Sequence, residues 1–180
     1  MNQIRIQLNY GTIAGLLTFA AFLVFYFAGY NPLGAIKWLS LVFPIVLILM
    51  GVRKVRDAEF DGILSFRKGL SIGWFITMIY ASLVGMLIYL YGMLISDEFC
   101  QLHISETVAG LETAREILGS EQVDEAIQQM KDSTLADIAF GDFSSKMLGG
   151  LFISLIIAAI LRKRAPKLPH EATEAVETSE

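Results

Sequence analysis

Cys100 and His103 stand three residues apart, with Asp97 and Glu98 just upstream. Thiolate, imidazole and carboxylate are ligand types that zinc accepts, but a zinc site needs three or four of them at fixed spacing. The same residues also read as ordinary polar positions of a juxtamembrane loop, so neither a metal nor a cofactor is expected. Cys100 is the single cysteine. It can form no disulfide within the chain, although in an oxidising compartment it could join two chains. A second cluster holds Arg53, Lys54, Arg56 and Asp57, followed by Arg67 and Lys68. Such a patch can bind anionic head groups or a protein partner. It can equally serve as an orientation signal with local ion pairs.

Proton relays, ion-coupled carriers and intramembrane hydrolases need ionisable groups at depth. Four long apolar runs separate the charged clusters, and no Asp, Glu, His, Lys or Arg is expected at the centre of any of them. Hydroxyls such as Thr18, Ser40, Thr77, Ser82 and Ser154 remain, which satisfy backbone carbonyls without acid–base work. This pattern points to a non-enzymatic protein acting through contacts with itself, membrane lipid or another membrane protein. The alternative is a small facilitator or channel subunit with a Ser/Thr-lined path formed by an oligomer. A membrane enzyme ranks third, and no nucleic-acid partner is expected.

The elements that position these residues follow from the apolar runs. Of 180 residues, 54% are hydrophobic and 18% charged, with the charges gathered between the runs, which excludes a soluble enzyme and a disordered chain. A bilayer core about 30 Å thick needs roughly 20 apolar helical residues. The sequence predicts an all-α integral membrane fold with spans at about 10–29, 32–52, 69–95 and 143–161. The first is too long for a signal peptide, despite Arg5 before it. Asn31 and Pro32 suit the cap and first position of helix two, and Pro44 should kink it. Gly62 should turn the chain and Ser65 cap helix three. Helix four is taken from Phe143, which leaves Lys146 at the interface.

Ten of the 14 basic residues fall at the N-terminus, between spans two and three, or after span four. By the positive-inside rule, both termini then face the cytoplasm. The outer insertion, 96–142, is acidic. Leu111, Ala114 and Leu118 form one helical face and Val123, Ile127 and Met130 another, with Gly119 ending the first helix and Ser120 capping the second. A helical hairpin follows. Residues 166–180 read as a disordered acidic tail.

Small residues at four-residue spacing allow helices to approach closely in lipid. Gly69, Gly73, Thr77, Ala81 and Gly85 make one such stripe. Gly11 and Gly15 offer another in helix one, and Gly150 and Ser154 in helix four. These faces suit packing inside one bundle or a homodimer.

Tyr10-Gly11 with Gly15, then Gly51 through Arg53, Arg56 and Asp57, then Gly62-Ile63-Leu64-Ser65-Phe66 leading to Gly69, occur in an order that carries a resemblance. The chain resembles the bacterial four-helix membrane proteins catalogued as domain of unknown function 4199, over roughly Gln7 to Arg164. The resemblance implies four transmembrane helices and a helical insertion between the last two. It implies no activity, substrate or cofactor. Pro44 and the Cys100–His103 pair lie outside the family pattern.

Overall fold

The computed structural model describes residues 2–163; the tail expected at 166–180 lies outside the described residues. In chain order the helices are α1 (Asn2–Phe27), α2 (Lys37–Ser40), α3 (Val42–Glu59), α4 (Phe66–Leu94), α5 (Glu98–Thr113), α6 (Arg115–Leu118), α7 (Ser120–Lys131) and α8 (Leu135–Leu161). No strand occurs among the described residues. Four segments are long and apolar enough to cross a membrane: α1, α2 continuing into α3, α4 and α8. The fold is that of an all-α membrane protein.

The bundle is built around α4, which packs on α1, α3 and α8. Toward one end Phe22, Tyr91 and Phe99 meet edge to face, with Val84 and Ile88 beneath them. Toward the other, Ile48, Val52, Leu64, Ile72 and Ile76 close a second apolar cluster. Large side chains such as Val24, Leu39, Met86, Phe152 and Ile160 point outward. A bilayer, not water, suits such a surface.

Several helix ends differ from those the sequence suggested. Helix α8 begins at Leu135 instead of Phe143, because Thr134 and Asp137 form a reciprocal capping box. Asn31 and Pro32 do not open a helix. The Asn31 side chain instead accepts from the Leu33 amide at 3.0 Å, and helix resumes only at Lys37. The break in the second span falls at Leu41 rather than at Pro44 itself. Pro44 has no N–H for the Ser40 carbonyl, and its ring crowds that same carbonyl. The Ser40 hydroxyl turns back to donate to the Lys37 carbonyl at 2.7 Å.

Between α3 and α4, Gly62 (φ +78°) reverses the chain in a conformation closed to most L-residues. The Ser65 hydroxyl then accepts from the Lys68 amide at 3.4 Å as the cap of α4. In the insertion, α5 and α6 fold back on α7 through Gly119 (φ +89°). Ser120 does not cap α7; Gly119 holds the cap position and no side chain closes it. Leu118 stays exposed rather than joining a buried face, while α7 buries Val123 and Ile127. Arg115 bridges the hairpin, 2.7 Å from Glu112 and 2.7 Å from Asp124, and holds both carboxyls below their ordinary range.

Candidate functional site

The small-residue stripe of α4 faces α8. A Cβ on Gly69 would touch Ala158, one on Gly73 would lie 2.8 Å from Ser154 Oγ, and one on Gly85 would touch Phe143. From the other side, a Cβ on Gly150 would fall 2.2 Å from Thr77 Cγ2. Thr77 and Ser154 are both buried, their hydroxyls 3.5 Å apart. Gly11 and Gly15 press on the opposite side of α4, against Ile79 and Leu83. Ala81 is fully buried within the same stripe. The structure therefore brings all these residues into contacts within one chain.

That antiparallel register carries a consequence the sequence reading missed. Because α8 starts at Leu135, Asp142 and Lys146 lie inside it, about 10 and 16 Å along its axis. Lys146 is not at a helix end. It donates to both carboxylate oxygens of Asp142 one turn away, and the two side chains are only 13% and 4% exposed. Tyr80, at the midpoint of α4, lines the same cavity as this ion pair. Asp142, read from the sequence as part of the insertion, and Lys146, read as interfacial, thus both lie within the helix of the last candidate span.

Around the pair the helices leave space. A cavity of about 250 Å³ lies between α2–α3 and α8, with Tyr80 as its floor. Lys37, Ser40, Asp142, Ser145 and Lys146 make it polar, while Leu41, Ile45 and Ile153 supply an apolar wall. Trp38 and Ile45, 67% and 41% exposed, stand at its rim. A second cavity of about 230 Å³ shares Lys37 and Asp142 and continues past His103, Ser133 and Asp137. A small gap lined by Thr18, Lys37, Ser40 and Lys146 adjoins both. Lys37 lines all three spaces. Together they fall within the roughly 300–1,000 Å³ of ordinary ligand sites.

The Cys100 and His103 side chains serve separate ends. Cys100 is buried in the aromatic cluster, and burial with Asp97 nearby pushes its thiol up to about 11. It stays protonated at neutral pH and out of reach of a second chain. Asn31, 5% exposed, sits 3.3 Å from His103 Nδ1 and donates to Glu106 at 2.8 Å, which ties the α1–α2 connection to α5. Burial, then Lys37, holds His103 below its ordinary value, against the opposing pull of Asp142 and Glu106.

Below about pH 6.5 the unfolded chain therefore binds a proton that the folded chain resists. The fold should lose stability as pH falls through that value. His103→Gln should flatten this dependence in detergent-solubilised protein, read by thermal unfolding at several pH values; an unchanged slope would count against the assignment.

The basic patch is partly committed to internal contacts. Arg56 Nε donates to Asp57 at 2.7 Å, Arg53 lies 3.9 Å from Asp57, and Lys68 stands 4.3 Å from the centre of the Phe60 ring. Lys54 and Arg67 are exposed.

The family model described as Protein of unknown function (DUF4199) matches residues 9–163. The chain belongs to that family. The match to DUF4199 covers both the bundle and the insertion, and so takes in Lys37, Asp142 and Lys146. No curated protein and no solved structure matches the chain.

The charged cleft was missed for an identifiable reason. Thr134 and Asp137 already spell a capping box, which places the helix start at Leu135 and moves Asp142 and Lys146 inside. Their four-residue spacing then reads as an ion pair on one helical face.

Proposed function

We propose that this membrane protein is non-enzymatic and acts through contact with membrane lipid, made at the cleft between α2–α3 and α8. The observation that carries this reading is the cleft itself: an ion pair and a lysine at one part, an apolar wall at the other, and a rim facing outward between two spans. A buried charge within a span marks function by default, because it costs free energy to keep there. The basic residue distribution supports both termini being cytoplasmic, and the resemblance to a bacterial family supports a bacterial inner membrane. The cleft then lies toward the outer leaflet. The exposed part of the cytoplasmic patch, Lys54 and Arg67, suits a second contact with anionic lipid or a membrane partner.

The test is lipid retention. Purified from membranes in mild detergent, the full chain should carry lipid that native mass spectrometry counts. Gly149→Phe should lose it, because Gly149 lines the cleft and a Cβ there meets nothing within 4 Å. Solute flux through proteoliposomes should equal that of empty vesicles. Lipid retention indifferent to Gly149→Phe, or flux that Thr77→Val alters, would overturn the reading.

A further inference from the structure

Resting on that reading of the cleft, we propose that Lys37 and Lys146 together bind the anionic head group of a membrane phospholipid, with its acyl chain along Leu41, Ile45 and Ile153. Three independent observations support the assignment.

The first is charge. Two ammonium groups and one carboxylate line the cleft, and Asp142 is already paired with Lys146. Among the described residues no carboxylate lies within 4.0 Å of Lys37 Nζ. These three groups leave the cleft one positive charge in surplus, since Asp137 in the adjoining cavity is already engaged by Thr134. A phosphodiester neutralises that surplus, whereas a zwitterionic head group brings its own cation.

The second is an unpartnered donor. Thr18 Oγ1 is buried with no hydrogen-bond partner, in a residue 4% exposed. It lines the gap shared with Lys37 and Lys146. Buried polar atoms are nearly always paired, and a phosphate oxygen between the lysines would supply the acceptor it lacks.

The third is shape. The charged residues lie where the cavity meets its neighbours, and the apolar wall runs down α3 and α8 from there. The exposed rim at Trp38 and Ile45 lets a lipid enter sideways from the bilayer. A soluble anion would not need that wall.

The experiment compares phosphatidylglycerol with phosphatidylcholine of identical acyl chains, added to delipidated full-length protein and counted by native mass spectrometry. Wild type should retain phosphatidylglycerol about tenfold better, the value of one charge-assisted hydrogen bond. Lys37→Gln, which leaves the Asp142–Lys146 pair intact, should reduce that preference to near unity without removing either lipid. Gly149→Phe should remove both. A preference that survives Lys37→Gln, or equal retention of both lipids by wild type, would overturn the head-group assignment while Gly149-sensitive lipid contact stood. Loss of Gly149 sensitivity would sink the underlying reading as well. Inorganic phosphate protecting the wild type from thermal unfolding as well as phosphatidylglycerol does would also overturn the proposal, in favour of a soluble anion.

Discussion

Leucine at Gly150 is expected to unfold the bundle, and leucine at Gly149 is not. The two positions are neighbours on α8, with the same helical backbone and the same membrane environment. Removing glycine from a helix interior gains about 0.8 kcal/mol in propensity at either position. At Gly149 nothing within 4 Å opposes that gain. At Gly150 the first added atom would meet Thr77 Cγ2 at 2.2 Å and Oγ1 at 2.7 Å. Thr77 is fully buried and β-branched, so it cannot swing aside. Overpacking of this kind costs about 3 kcal/mol or more, which exceeds the propensity gain severalfold. Gly150→Leu should therefore fail to give a monodisperse folded species in detergent, or melt far below wild type. Gly149→Leu should match wild type or exceed it. Equal behaviour of the two variants would mean that α4 and α8 do not meet at this register.

The second large effect belongs to Lys146→Met. The substitution removes the ammonium group and leaves Asp142, 4% exposed, without the partner that holds both its oxygens. Breaking a buried pair from one side costs about 3–5 kcal/mol. Replacing both members by neutral groups avoids the orphaned charge. The Asp142→Asn, Lys146→Met double variant should then be more stable than Lys146→Met alone, a coupling that a double-mutant cycle reads directly. The exposed Arg53–Asp57 pair offers the comparison, since solvent screens it, and Arg53→Met should change stability little. A double variant as unstable as the sum of its singles would show the two charges to be independent.

How far the sequence revealed this architecture depends on which physical effect ruled each region. The four spans were legible because hydrophobic transfer over some 20 residues dominates any local preference. The Gly62 reversal and the Ser65 cap were legible because each rests on one residue's own chemistry. Asn31 misled because two roles compete for one side chain. Its amide is drawn 2.8 Å from Glu106, a residue distant in sequence, and its carbonyl closes a local turn rather than a helix. No local rule reports a partner seventy-odd positions away. The charged cleft was hidden by a boundary error of a different kind. Hydropathy alone starts the last helix where the apolar run starts, yet a capping box can start it two turns earlier in polar sequence. Once that helix is lengthened, Lys146 passes from a rim to an interior position, and the meaning of the residue changes with it.

The interruption at Leu41 has a mechanical consequence. Pro44 uncouples the short turn bearing Lys37 and Trp38 from the long shaft of α3, whose Ile48, Val52 and Val55 are locked in the core. A rod without that joint would transmit any load on Lys37 straight into the packed interior. With it, the side chains that the turn presents to α8 are set apart from the buried register of α3, so a change at Lys37 need not disturb Ile48, Val52 or Val55.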